Sequence, residues 1–252
     1  MKKTTIGVIG FGRFSQLMIR YLSDDFAVTV YDRQNRTGAV ARLGGVTGSL
    51  ADVCRRDIVI PAVPISVMPA MLSQMAPLLG PDAVVADVCS VKTVPVQWMV
   101  DRLPAGVSIL GTHPMFGPDS AADTLAGHKV VLCRQRIDGD RYAGIRDYLA
   151  ARGLVVIETT PEIHDRQIAD SLALTHFIGR SLAEYGARPL EIDTEGYRRL
   201  LHTLETVTHD TWELFVDMHT YNPFARAARD RFREAVARTT AQLQTASRKR
   251  PQ

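Results

Sequence analysis

The chain has 252 residues, 46% hydrophobic and 23% charged, with a formal net charge of +3, which is the balance of a globular protein with a sizeable core. Nucleic acid or an anionic membrane would need a basic patch. The one basic cluster, Arg248-Lys249-Arg250, is terminal and reads as part of a flexible tail over 247–252.

No apolar run approaches the roughly 18 residues of a bilayer span. Cys54, Cys89 and Cys133 show neither CxxC nor metal-ligand spacing. The expectation is therefore a cytoplasmic protein with reduced thiols and no bound metal.

In chain order, apolar runs at 5–9, 27–31, 58–63, 83–87 and 107–110 are bounded by turn residues, as in buried parallel strands. Helical spacing separates them, as at Phe14, Leu17, Met18 and Leu22. Further strands are expected at 130–133 and 154–157, with a helix at about 140–152 between them. From Pro161 onward the period becomes 3.6, over 162–186, 194–219 and 222–245, with Asn222 placed to cap the last helix.

The fold class is thus an α/β Rossmann-type doubly wound parallel sheet followed by an all-α domain. Its parts are residues 1–160, 161–246 and the tail 247–252. The stripe Leu200, Leu201, Leu204 and Val207 exceeds what one helical hairpin buries, so a homodimer through the helical domain is expected.

The first strand runs into Gly10-Phe11-Gly12-Arg13-Phe14-Ser15, a dinucleotide fingerprint. The first glycine permits the turn, the second admits a pyrophosphate, and Ser15 replaces the third with a side chain small enough for helix–strand packing. Asp32 ends the second strand, where a carboxylate accepts ribose hydroxyls and repels a 2′-phosphate, favouring NAD. Arg13, Arg33 and Arg36 are guanidinium groups that suit NADP instead, or are simply solvated. Val63-Pro64 is expected to shape the nicotinamide side, or Pro64 only to start a helix.

Two later motifs carry chemistry. His113, in Thr112-His113-Pro114-Met115-Phe116-Gly117-Pro118, follows a strand and is expected on a tight loop, with its imidazole presented near its ordinary pKa as a general base. Ser90, in Asp87-Val88-Cys89-Ser90-Val91-Lys92, can donate to or accept from a substrate hydroxyl. Lys92 is expected either to pair with a substrate carboxylate or to cap the next helix.

At these residues the chain resembles the prephenate/arogenate dehydrogenase family, and most the plant-type arogenate dehydrogenases. The resemblance runs over 5–230 and continues through His164-Asp165, Thr175-His176, Gly196-Tyr197 and Asp210-Thr211-Trp212-Glu213-Leu214-Phe215. It implies NAD(P)-dependent oxidative decarboxylation in tyrosine biosynthesis. His113 matches the catalytic histidine, Ser90 the serine that orients it, and His176 a substrate-binding histidine of the helical domain. Asp210 matches the position that would pair with the arogenate α-ammonium and repel prephenate. Glu213 stands where many bacterial members have a carboxylate-clamping arginine. Lys92, Arg180 or an arginine of a partner subunit are then the candidates for the ring carboxylate. Plant-type members favour NADP, whereas Asp32 points to NAD. The competing expectations are a reductase of imines or β-hydroxy acids built on the same two halves, and a dinucleotide sensor without turnover.

Overall fold

Runs of β-branched residues bounded by turns form the strands β1 (Thr5–Ile9), β2 (Ala27–Tyr31), β3 (Val46–Thr47), β4 (Ile58–Pro61), β5 (Val84–Ala86), β6 (Ser108–Pro114), β7 (Lys129–Arg136) and β8 (Val155–Glu158). The computed structural model describes residues 4–248. It contains a single eight-stranded sheet in the order β3-β2-β1-β4-β5-β6-β7-β8. Val8, Val59, Val85 and Ile109 are wholly buried in adjacent strands of its centre. Each such side chain contributes about 1.5–3 kcal/mol by leaving water.

The first six strands are parallel, but β7 runs antiparallel to β6, and β8 follows β7 in parallel. The expected doubly wound parallel sheet is present, with this one antiparallel pairing added. The β6–β7 connection, 115–128, contains no helix. A parallel return needs a crossover of a dozen or more residues, usually helical, so this chain reverses direction.

The helices of the first part are α1 (Arg13–Leu22), α2 (Thr37–Arg42), α3 (Leu50–Cys54), α4 (Met68–Met75), α5 (Thr93–Arg102) and α6 (Gly139–Ala151). An apolar cavity of about 650 Å³ lies on one face of the sheet, lined by Ile6, Ile60, Val84, Leu110, Phe14 of α1 and Ile145 of α6. Leu110, Thr112 and Pro114 of β6 also line it, whereas the alternate residue His113 does not.

The chain divides into two compact units, Met1–His164 and Asp165–Gln252. The boundary falls inside α7 (Pro161–Ile168), which continues through a π-helical turn, Ala169–Ala173, into α8 (Leu174–Tyr185). The single helix expected over 194–219 is two, α9 (Glu195–Thr208) and α10 (Trp212–Tyr221). Thr211 caps α10 by accepting from the Leu214 N–H, which ends the helical run before it. Gly179 of α8 lets α9 come close, because a Cβ there would stand 2.4 Å from Val207 Cγ2.

The last helix, α11 (Ala225–Arg248), begins three residues beyond Asn222. Asn222 does not cap it. Its Oδ1 accepts from the Phe224 N–H in the turn leading in. Ser247 and Arg248 close α11 rather than opening a tail, and 249–252 lie outside the described residues. Among the described residues, no helix is long and apolar enough to cross a membrane.

Candidate active site

The sheet order reverses around β1, which lies between β2 and β4, and α1 starts at the carboxyl end of β1. Such a switch point is where an open α/β sheet takes its ligand. Gly10 has φ +99°, and a Cβ there would stand 2.5 Å from the Ala62 carbonyl oxygen, so only glycine fits. Gly12 is the N-cap of α1, and a Cβ added to it would meet nothing within 4 Å. No side chain caps α1 and no acidic residue occupies its first turn. A helix start with a glycine N-cap, no side-chain cap and no acidic residue is the arrangement that holds a phosphate. Ser15 is buried, as its packing role requires.

The Asp32 carboxylate is fixed from both sides. Oδ2 accepts from the Phe11 N–H at 2.9 Å and Oδ1 from the Gln34 N–H at 2.8 Å. Arg36 Nε is 3.9 Å from the same carboxylate. Asp32, Arg33, Arg36 and Thr47 line a cavity of about 160 Å³. Two fingerprint side chains turn elsewhere: Arg13 pairs with Asp119 at 2.6 Å, and the Phe14 ring stands 6.2 Å from Phe116. Val63 lies against Gly10, and Pro64 precedes the 3₁₀ turn Ile65–Val67.

Beyond β5 the chain is tied down by Asp87, which is wholly buried. Its carboxylate accepts from the Cys89 N–H at 3.0 Å and the Thr112 N–H at 3.1 Å, and it forms an ion pair with Lys92. Lys92 is also wholly buried, and no side chain of its own caps α5. Lys92 thus stands at the N-cap position of α5, as expected, but its ammonium is not the cap. Its ammonium is directed to Asp87, five residues earlier, and is sealed from solvent. The loop held by this pair carries Ser90, whose Oγ is buried without a hydrogen-bond partner. Ser90 therefore makes no bond to His113 here.

His113 differs from expectation too. It belongs to β6, paired with Val131 of β7, and only 6% of its surface is exposed. The strand continues to Pro114 because β7 supplies a ladder that a lone run at 107–110 could not foretell. Burial pushes the imidazole pKa well below its ordinary value, and the neighbouring charges of His164 and Lys92 push the same way. Its Nδ1 lies 2.8 Å from Nε2 of His164, which is buried in the first turns of α7. The motif His164-Asp165 was visible in the sequence, but nothing local indicates that this ring meets His113 across 51 residues.

In the second unit, His176 of α8 and Asp210, just before α10, come together with Nε2 and Oδ2 3.6 Å apart. His176 is 5% exposed, and burial lowers its pKa, partly offset by Asp210. Glu213 is exposed in the first turn of α10.

Fold and site together define a dinucleotide-binding α/β protein with a helical companion unit. Residues 17–158, more than half of the chain, match the model of the prephenate dehydrogenase nucleotide-binding domain, and 181–252 match a TYRAAT1-like C-terminal domain. The chain belongs to the prephenate dehydrogenase family. Arogenate dehydrogenase 2, chloroplastic, of Arabidopsis thaliana is 32% identical over 231 residues, covering 87% of this chain and 64% of that protein. Arogenate dehydrogenase 1, chloroplastic, of the same plant is 30% identical over 248 residues, covering 94% of this chain and 39% of that protein. The chain thus spans less than two thirds of the length of these relatives. Among solved structures, Aquifex aeolicus prephenate dehydrogenase in complex with hydroxyphenyl propionate and NAD+ superposes with a TM-score of 0.79 at 19% identity, over 99% of this chain and 93% of that one. Synechocystis arogenate dehydrogenase gives 0.73 at 23% identity, over 97% and 93%. At these identities the two structures establish the shared fold.

Proposed function

We propose that the chain oxidises and decarboxylates arogenate to tyrosine with NAD(P)+, with prephenate as the weaker substrate. The observation that carries this reading is a buried base, His113, hydrogen-bonded through Nδ1 to His164 on the dinucleotide-binding unit of this family. When bound, the cofactor supplies the hydride acceptor. Gly12, the uncapped start of α1 and Asp32 are the groups that would hold it. NAD is the favoured form, because Asp32 is fixed by two backbone N–H groups and keeps lone pairs for ribose hydroxyls.

The histidine pair admits the tautomer that this reading needs. With the proton on His113 Nδ1, donated to His164 Nε2, the His113 Nε2 is bare and can accept. It takes the ring hydroxyl proton as hydride leaves the same carbon, and a carbonyl forms. The bond between the ring and its carboxylate then breaks, CO2 departs, and the electron pair moves through the ring to give a phenolate. His113 returns its proton to that oxygen, and the ring is aromatic. The orphan hydroxyl of Ser90 is available to hold the substrate oxygen during both transfers.

Asp210 is the proposed partner of the α-ammonium, with His176 beside it. A homodimer through the helical unit is part of the same proposal, since Leu200, Val236 and Leu243 are 45%, 50% and 65% exposed. The buried thiols of Cys54, Cys89 and Cys133 suit a cytoplasmic setting. The test is the initial rate of NAD(P)H formation with arogenate and prephenate, each crossed with NAD+ and NADP+. Arogenate with NAD+ is expected to be fastest, and Asp210→Asn to shift preference toward prephenate. No turnover in any of the four combinations refutes the reading.

A further inference from the structure

Among the described residues of the helical unit, three buried nitrogens have no hydrogen-bond partner: His176 Nδ1, Arg180 Nε and His219 Nε2. Buried polar groups are nearly always satisfied, so a group of orphans in one unit calls for a ligand. The protonation of His219 follows from its neighbour. Arg229 Nη1 is 2.7 Å from His219 Nδ1. A guanidinium has donors only, so Nδ1 accepts and the proton of the neutral ring sits on Nε2. Burial, then Arg229, then His176 lower the His219 pKa to about 4, which keeps the ring neutral. His219 Nε2–H is therefore a buried donor aimed at no acceptor.

Arg180 presents a second such donor. One end of its guanidinium donates to the Asp210 carbonyl, leaving Nε–H unmatched. Both groups stand against one aromatic ring: the His219 and Phe215 centroids are 4.6 Å apart, and Arg180 Cζ is 5.9 Å from the Phe215 centroid. Two N–H donors, one of them cationic and the other backed by a cation, suit an anionic acceptor. Asp210, whose backbone carbonyl accepts from Arg180, carries a carboxylate 3.6 Å from His176 Nε2 and so supplies the opposite charge in the same unit.

We propose that Arg180 Nε–H and His219 Nε2–H, the latter fixed by Arg229, receive the α-carboxylate of the substrate, while Asp210 takes its α-ammonium. The helical unit then reads the amino-acid end as a zwitterion. This rests on the arogenate reading above and names the groups that do the work in a chain with Glu213 in place of a clamping arginine.

The experiment uses the full-length protein and three probes, L-tyrosine, tyramine and 3-(4-hydroxyphenyl)propionate, titrated calorimetrically in the presence of NAD+, alongside arogenate kinetics. In Arg180→Gln and His219→Phe, the arogenate KM is expected to rise about 10- to 100-fold with kcat within a few-fold, the effect of one charge-assisted hydrogen bond. L-Tyrosine affinity falls by the same factor, while that of tyramine, which lacks the carboxylate, is unchanged. Arg229→Gln, which leaves both donors in place, gives a smaller loss in the same direction. Equal losses for L-tyrosine and tyramine, or an unchanged arogenate KM, overturn the proposal. A protein that turns over no cyclohexadienyl substrate, tested before any substitution, fails the functional reading instead.

Discussion

Replacing His164 tests the assignment of His113 most directly. In the parent protein, His113 Nδ1 and His164 Nε2 are 2.8 Å apart and both rings are buried; in the proposed mechanism the Nδ1–H donates to that nitrogen. His164→Ala removes that acceptor and leaves a buried N–H unmatched, at a cost of about 1–3 kcal/mol. Nothing then favours the tautomer with a bare Nε2, and the imidazolium formed during proton transfer loses the group that shares its charge. At about 1.4 kcal/mol per decade, kcat should fall roughly 10- to 100-fold. The pH profile should change as well. In the parent, the acid limb of kcat/KM is expected below 6.5, because burial, His164 and Lys92 all depress the His113 pKa. Removing His164 deletes one of these causes and opens the site to water, so the limb moves up toward the ordinary imidazole value of about 6.5. His164→Gln keeps an acceptor oxygen and should recover part of the rate. The assay is kcat/KM for arogenate from pH 4.5 to 9, with NAD+ affinity measured separately and expected to hold. A His164→Ala profile that superimposes on the parent profile refutes the role of the pair.

Three other outcomes follow from the same geometry. His113→Ala should lower kcat by about 10²- to 10⁴-fold while NAD+ binding, measured by fluorescence titration, is retained; unchanged turnover removes His113 from the mechanism. Lys92→Met leaves the buried Asp87 carboxylate without its cation and should cost about 3–5 kcal/mol in urea denaturation, whereas Lys92→Met with Asp87→Asn should cost less. A Lys92→Met protein as stable as the parent shows that the ion pair is dispensable. Finally, stability should fall as pH drops below about 6.5. His113, His176 and His219 all have depressed pKa values, so the unfolded chain takes up their protons first. Their contribution is complete above about 6.5 and is lost progressively below it, for His219 down to about pH 4. A flat urea midpoint from pH 7 to 5 contradicts this.

The parts of the molecule that local pattern controls were legible in the sequence. β1 and β2 lie where their apolar runs end, and α1 begins directly after the second fingerprint glycine. The helical period after Pro161 was equally plain, because proline can start a helix but not continue one. Interruptions were harder to see. The π-helical turn at Ala169–Ala173 carries no compositional mark, and the break before α10 depends on one capping threonine, Thr211.

What the sequence concealed was the environment of each reactive group, since that is made by residues remote in the chain. His113 follows a run that ends convincingly at Leu110, and Pro114 and Gly117 around it suggest a loop. Only the antiparallel return of β7 turns it into a strand residue, and only α7 brings His164 to its Nδ1. Lys92 reads as a partner for a substrate carboxylate or a helix cap until its ammonium is found paired with the buried Asp87 carboxylate five residues earlier. These two surprises have one physical consequence. A base presented to water would titrate near 6.5 and need no orienting partner. A base buried in a strand pair, beside a buried ammonium and a second imidazole, stays neutral in mildly acidic solution, and in the proposed mechanism its partner ring holds it in one tautomer. For a reaction that must take a proton from a weakly acidic hydroxyl, depressing the pKa weakens the base while keeping it available. The fixed tautomer and the preset geometry at Nε2 are then what offset the lost basicity.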